Sequence, residues 1–209
     1  MGPLLLIEGA RLRTVVAALQ PGSDPRLWYV TRAAGICAYV LLACATALGL
    51  LQSLARALEV RAGWALAELH QFVALIAGAF VALHLLALAL DPFLHFSVIN
   101  FALPVAEPYR PFQVALGVLG MYALVVVLVS SWLRGKMSYA VWRGLHTVSF
   151  ALFALVSAHG LLAGTDTSQP WMEGVYFAAI AAVVFLCGMR VIVWLTAPEP
   201  AGTSSPPGR

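Results

Sequence analysis

Charge is what this sequence has least of. Only 10% of its 209 residues are Asp, Glu, Lys or Arg, against about 25% in ordinary soluble domains. A soluble globular fold is therefore excluded. The net charge of +3 comes from basic residues at the borders of apolar runs, so we expect no nucleic acid partner.

Cysteine is also scarce, and no secretion signal is evident. The three cysteines, Cys37, Cys44 and Cys187, fall within apolar runs, where a thiol behaves as a small hydrophobic group. We predict that they are buried and form no disulfide. The amino terminus lacks the basic start and the small-residue cleavage site of a signal peptide.

Long apolar runs are what the sequence has instead. A helix of about 20 apolar residues crosses the hydrocarbon core of a bilayer, and five such runs are present. We predict an all-α integral membrane bundle in the lipid bilayer, with transmembrane helices at about 28–52, 64–90, 111–133, 140–163 and 171–196.

The flanks and the second link between spans differ in composition from the bundle at 28–196. Residues 1–27 hold an apolar stretch that is too short to span and is interrupted by charges, and we predict an amphipathic helix in the membrane interface. Residues 197–209 are rich in Pro, Gly and Ser, which predicts a disordered tail. The link at 91–110 is apolar but rich in proline, so we expect it to lie on the surface.

The basic residues predict an orientation. The first and third links between spans carry Arg56, Arg61, Arg134, Lys136 and Arg143. The second and fourth links carry only Arg110. The positive-inside rule then places the first and third links and the carboxyl terminus in the cytoplasm. We expect a multi-pass protein of a bacterial inner membrane.

Four of the five histidines lie within predicted spans, where ionisable groups mark functional sites. They are His70 and His84 in the second span, and His146 and His159 in the fourth. The fourteen-residue step from His70 to His84 returns to within about 40° of one helix face, about 21 Å along the axis. The thirteen-residue step from His146 to His159 leaves the two side chains about 140° apart around the axis of an ideal helix. We therefore predict a local irregularity between these two residues. The fifth histidine, His95, is expected on the surface.

The histidines pair by depth. The second and fourth spans run parallel because one span separates them, so His70 lies level with His146, and His84 with His159. Two facing imidazoles can fill both axial positions of a haem iron. The two layers therefore predict two haem b groups and a route for electrons across the membrane. No Cys-x-x-Cys-His motif occurs, which excludes covalent haem attachment. Another metal, or histidines that only bridge helices by hydrogen bonds, remain alternatives.

Haem carboxylates need cations near the ends of the spans. Arg143, one turn before His146 and next to Trp142, is the candidate on the cytoplasmic side, and Arg32 is the candidate for the outer haem. The alternative for each arginine is an interfacial cation that reaches towards water. Gly78, midway between the histidines of its helix, would admit either a porphyrin face or a closely packed helix.

The histidine spacing resembles that of the ferric reductase-like transmembrane domain. This superfamily includes ferric reductases, NADPH oxidases and the haem subunit of the bacterial methionine sulfoxide reductase system. The resemblance rests on the motifs H-x13-H on one span and H-x12-H two spans later, together with WRGLH at 142–146 and LWYVTRAAG at 27–35. The resemblance covers about residues 27–196 and implies a haem-bearing electron conduit.

The sequence also departs from the resemblance. Ferric reductases and NADPH oxidases carry a cytoplasmic FAD- and NAD(P)H-binding module after the last span, whereas a thirteen-residue tail without a Gly-rich fingerprint stands here. Five spans replace the six of many relatives. We expect no flavin in this chain, a separate electron donor (a flavoprotein, quinol or reductase) and an extracytoplasmic acceptor. Whether the protein is an enzyme depends on that partner.

Two other functions remain open. The b-type cytochrome subunit of a quinol-oxidising complex also places two histidine pairs on alternate spans, but it would need iron–sulfur and c-type partners. A non-catalytic membrane scaffold of a larger complex would need no haem at all.

Overall fold

The computed structural model describes residues 25–60, 63–91, 96, 98–104 and 110–196. In these ranges all regular structure is helical: α1 (Pro25–Ala57), α2 (Gly63–Leu90), α3 (Val98–Ala102), α4 (Pro111–Trp132), a 3₁₀ turn (Arg134–Lys136), α5 (Tyr139–His146), α6 (Val148–Ala163) and α7 (Pro170–Thr196). Five spans are long and apolar enough to cross a membrane, with α5 and α6 forming one of them. The predicted all-α bundle with five transmembrane segments is confirmed. The interfacial helix predicted within residues 1–27 falls almost wholly outside the described residues, as do the disordered tail at 197–209 and the surface position of His95, so these stay predictions.

Local signals explain where the later helices begin. Pro111 occupies the first turn of α4, where its fixed φ suits a helix and its missing N–H is not needed. Ser138 caps α5, because its hydroxyl accepts from the backbone N–H of Val141. Helix α7 begins at Pro170 and carries Glu173 in its first turn, where a carboxylate complements the helix dipole.

The fourth span is interrupted between its two histidines. Helix α5 ends at His146 and α6 begins at Val148, with Thr147 between them. The Thr147 hydroxyl donates to the Gly144 carbonyl at 2.6 Å, and the Phe150 N–H donates to the Thr147 carbonyl at 3.1 Å, three residues back. An i→i+3 bond tightens the helix locally and so changes the rotation per residue. The predicted irregularity is confirmed.

Helices α1 and α6 form the centre of the bundle, because both take part in the two apolar clusters. One cluster joins α1 to α6 and α7 through Tyr39, Ala43, Leu50, Phe153, Met172, Tyr176 and Val183. The other joins α1 to α2, α4 and α6 through Leu42, Ala77, Ala123, Leu124 and Leu152. The remaining surface of the long helices is largely apolar and faces outward, as expected of helices in lipid.

The cysteines correct one expectation. All three thiols are free, as predicted, but Cys37 and Cys44 are exposed and Cys187 is only partly covered. The predicted burial is wrong because a small apolar side chain in a membrane helix gains little by turning inward when the surroundings are equally apolar.

Polar contacts identify the two ends of the bundle. At the end that we call the Arg32 end, Arg32 of α1 forms an ion pair with Asp166 in the turn between α6 and α7. At the opposite end, called the Arg134 end, the Arg190 guanidinium of α7 donates to the Ser53 hydroxyl of α1 at 3.0 Å. At each end a polar side-chain contact therefore joins α1 to the last third of the chain.

Candidate functional site

The structure brings His70 and His146 together at the Arg134 end. Their ring centroids are 6.0 Å apart, with the planes inclined at 71°. Two metal–imidazole bonds of about 2 Å each, with the width of the rings added, give a centroid spacing of roughly 6 Å. The observed centroid spacing is close to this value.

The other two histidines face one cavity at the Arg32 end. His84 and His159 both line a cavity of about 280 Å³ that is lined mainly by apolar side chains of α1, α2, α4 and α6. Polar residues line the same cavity, among them Thr31, Arg32, Arg110 and Asp166. An apolar cavity with a few polar groups at defined positions is typical of a cofactor site.

Three of the four imidazoles are fixed by backbone carbonyls of the neighbouring helix. The Nδ1–H donates from His70 to Ala45 at 2.8 Å, from His84 to Thr31 at 2.8 Å and from His159 to Gln113 at 2.7 Å. A carbonyl can only accept, so Nδ1 carries the proton and Nε2 keeps its lone pair. This is the arrangement that orients metal-binding histidines in proteins.

A glycine lies beneath each of these three imidazoles, four residues after the residue whose carbonyl accepts. A Cβ atom at these positions would lie 3.1 Å from Nδ1 of His84 (Gly35), 3.3 Å from Cε1 of His70 (Gly49) and 2.8 Å from Cε1 of His159 (Gly117). In a helix each carbonyl points towards the N–H of the residue four positions later. An imidazole that donates to the carbonyl must therefore pass over the residue that bears this N–H. At Gly117 an added Cβ atom would clash with the imidazole, whereas at Gly35 and Gly49 the ring would need to shift by a few tenths of an ångström. None of the three glycines was predicted from the sequence.

His146 is held differently. Its Nδ1 lies 3.4 Å from the Ser131 hydroxyl, which can donate or accept and so does not fix the tautomer. The indole of Trp142 stacks on the imidazole, with centroids 5.0 Å apart and planes at 26°. The guanidinium of Arg134 in turn lies 4.4 Å from the indole centroid. Side chains rather than backbone therefore orient this imidazole.

The two predicted cationic candidates already have partners. Arg32 contacts the Asp166 carboxylate twice, with Nε to Oδ2 at 3.0 Å. Arg143 is exposed and donates to the Tyr139 hydroxyl at 3.2 Å. Asp166, which the sequence analysis did not single out, is therefore part of the cavity lining together with Arg32. The roles predicted for both arginines towards haem carboxylates stay predictions.

The link between α2 and α4 adds a wall to the cavity. Phe96 and Phe101 line the cavity with ring centroids 5.5 Å apart. The Tyr122 hydroxyl of α4 donates to the Ala102 carbonyl at 2.5 Å and so fastens α3 to the bundle. The described part of this link is a cover of the cavity.

Gly78 has space around it on the side of α4. A Cβ atom there would lie 3.4 Å from Cδ1 of Leu128 in α4, which is an ordinary van der Waals distance. Neither of the two alternatives for this glycine is therefore singled out.

The donor set suits haem better than a bare metal ion. Within the described ranges, no three His, Cys, Asp or Glu residues come together as a metal-binding group. Zinc takes three or four protein ligands, whereas a haem iron already has its equatorial positions filled and needs only two axial ligands. Two pairs of imidazoles, three of them with Nε2 left available by a carbonyl on Nδ1, and an apolar cavity fit that requirement.

The fold and the site define a multi-pass membrane protein in which two intramembrane histidines are in contact at one depth and two others line one cavity at another depth. The chain matches the family described as ferric reductase like transmembrane component over residues 34–158, more than half of its length, and it belongs to that family. The family typically binds haem and works in membrane electron transfer. The matched range includes His70, His84 and His146 and ends one residue before His159. Searches of curated proteins and of solved structures found no match.

Proposed function

We propose that the chain carries two haem b groups and passes electrons across the membrane. Nε2 of His70 and His146 would hold one iron, and Nε2 of His84 and His159 the other. Bound haem supplies the reversible one-electron change between ferric and ferrous iron. With both axial positions taken by protein, this iron suits electron transfer rather than oxygen binding.

The observation that carries the proposal is the fixed tautomer of three imidazoles. Nδ1 of His70, His84 and His159 is committed to a carbonyl, which leaves Nε2 as the available ligand. Histidines that merely bridge helices would use Nδ1 alone, and that role does not explain why His70 meets His146 or why His84 and His159 share one cavity.

The exposed cations of the Arg134 end support an orientation of the bundle in the membrane. Exposed basic side chains gather there, namely Arg56, Arg134, Lys136 and Arg143. The positive-inside rule makes this end cytoplasmic in a bacterial inner membrane. A separate flavoprotein, quinol or reductase would deliver electrons to the His70 and His146 layer, and an extracytoplasmic acceptor would take them from the His84 and His159 layer.

Sealed vesicles test the proposal. Full-length protein, loaded with haem, is reconstituted into vesicles that enclose ferricyanide, and dithionite is added outside. We expect enclosed ferricyanide to be reduced at a rate that rises with the amount of protein. His146→Ala and His84→Ala each remove one ligand from one layer, and either variant should fall to the rate of protein-free vesicles, because an electron must use both layers to cross.

The control is His95→Ala, since that histidine belongs to neither pair. Reduction at the wild-type rate by both layer variants would contradict transfer through two layers. Wild-type protein that binds no haem would contradict the whole proposal.

A further inference from the structure

Two buried polar side-chain atoms have no hydrogen-bond partner within the part of the chain that the structure describes. They are Oγ1 of Thr31 and Nε1 of Trp142. A buried donor without an acceptor is more costly than a hydrogen bond is favourable, so each unpaired atom needs an explanation. Each of the two lies beside a different histidine pair.

Thr31 belongs to the layer of His84 and His159. It is 4% exposed and lines the cavity with both histidines, and its carbonyl accepts from Nδ1 of His84. A helical threonine normally turns its hydroxyl back to the carbonyl one turn earlier. Thr46 in the same helix does so, donating to Leu42 at 2.8 Å. The Thr31 hydroxyl makes no such bond.

Trp142 belongs to the layer of His70 and His146. Its indole stacks on the His146 imidazole with ring centroids 5.0 Å apart, and the Arg134 guanidinium lies 4.4 Å from the indole centroid. The indole N–H can only donate, so it requires an acceptor. The stacked arrangement holds the ring in one orientation, with Nε1 buried and unpaired.

The two donors have the same neighbourhood. An arginine follows each of them in the chain, Arg32 after Thr31 and Arg143 after Trp142. Each also lies nearer its own end of the bundle than the layer beside it. Thr31 precedes the glycine under His84 by four residues, and Trp142 precedes His146 by four. A neutral donor next to a cation is a typical environment for a carboxylate.

We propose that Thr31 Oγ1–H and Trp142 Nε1–H each donate a hydrogen bond to a carboxylate of the haem in the adjacent layer. This inference rests on the proposed function, because it requires haem in both layers. Thr31 is assigned to the layer of His84 and His159, and Trp142 to the layer of His70 and His146. The Arg134 guanidinium, 4.4 Å from the indole centroid of Trp142, supplies positive charge beside the layer of His70 and His146.

The test measures haem release from single-layer proteins, without any electron-transfer assay. In full-length His146→Ala only the Thr31 layer holds haem, and in His84→Ala only the Trp142 layer does. Each protein is combined with Thr31→Val or with Trp142→Phe, and transfer of haem to excess apomyoglobin is followed by absorbance. Thr31→Val should accelerate release roughly ten- to a hundredfold in His146→Ala alone, and Trp142→Phe should do so in His84→Ala alone.

Matched controls separate the hydrogen bond from the fold. Thr31→Ser keeps a hydroxyl and should restore slow release, whereas Thr46→Val removes a hydroxyl that already has a partner and should leave release unchanged. Trp132→Phe replaces a tryptophan by phenylalanine as Trp142→Phe does, but at a residue that is 83% exposed. It should also leave the rate of haem release unchanged.

The outcomes are distinguishable. Equal release rates with and without Thr31→Val and Trp142→Phe, in proteins that hold haem, would overturn this inference and leave the proposed function standing. Acceleration by both substitutions in both single-layer proteins would overturn the layer assignment. A wild-type chain without haem would overturn the proposed function itself.

Discussion

At the Arg32 end both imidazoles, His84 and His159, donate to backbone carbonyls, whereas at the Arg134 end only His70 does. The fourth imidazole, His146, has a 3.4 Å contact with the Ser131 hydroxyl and a stacked indole instead. A carbonyl within a helix cannot rotate away from its ring, but a serine hydroxyl can. One layer is therefore positioned by the helices themselves and the other partly by side chains.

This difference has a functional consequence for each layer. Backbone bonds and close-fitting glycines fix the orientation of an imidazole, and under the proposed function they would also fix the surroundings of the iron. The His146 imidazole is instead stacked on Trp142, which in turn contacts Arg134 at the exposed surface. Under the proposed function, an electron donor at the Arg134 end would therefore act on the His70 and His146 layer and leave the other layer unchanged.

The largest expected effect comes from filling the glycine space at the Arg32 end. In Gly117→Ala the new Cβ would lie 2.8 Å from Cε1 of His159, closer than packed atoms allow, and overpacking costs about 1–3 kcal/mol. We expect the haem content to fall from two per chain towards one. In Gly49→Ala the corresponding distance to His70 is 3.3 Å, and both haems should be retained.

Gly188→Ala is the control for Gly117→Ala, because nothing lies within 4 Å of the added Cβ. It should leave the haem content unchanged. Equal haem content in Gly117→Ala and Gly49→Ala would contradict the ranking that the distances give.

A smaller effect is expected from the ion pair of the Arg32 end. Asp166→Asn leaves the Arg32 guanidinium without its carboxylate, and for a pair that is neither fully buried nor fully exposed the loss should be about 1 kcal/mol in the free energy of unfolding. Denaturant unfolding in detergent, followed by circular dichroism, measures it. Glu68→Gln removes an exposed acid of α2 that lies outside the first turn of its helix and is the matched control, and stability equal to that of this control would argue against a structural role for the pair.

The smallest effect is expected at Ser131. The bond to His146 is long, at 3.4 Å, and exposed, so its loss in Ser131→Ala should cost below about 0.5 kcal/mol. Haem release from the His70 and His146 layer, measured in His84→Ala, should change by less than about twofold. A larger acceleration would show that the Ser131 hydroxyl, rather than the stack on Trp142, orients His146.

The sequence was sufficient to predict features that depend on the length and order of the apolar runs and on the positions of the histidines along them. The five spans follow from apolar run length, and the break at Thr147 follows from the thirteen-residue histidine spacing. The meeting of His70 with His146 follows from depth in parallel spans. The family follows from the histidine spacing, and the match over residues 34–158 confirms it.

The features that were missed depend on which helices are neighbours. Gly35 and Gly49 lie under His84 and His70 because α1 packs antiparallel to α2, and no single-helix pattern contains that fact. A signal did exist, since the two glycines are separated by fourteen residues, as are the two histidines. Asp166 was missed because a turn residue becomes a partner of Arg32 only when α1 packs beside the fourth link.

Electron paramagnetic resonance of the oxidised, detergent-purified full-length chain, with haem counted per chain in the same sample, tests the central claim most directly. We predict two haems per chain, both low-spin, because each iron has an imidazole on either side. In His70→Ala and in His159→Ala we predict about one low-spin haem each. No haem in protein produced with ample haem supply, or two haems retained after either substitution, would contradict the account.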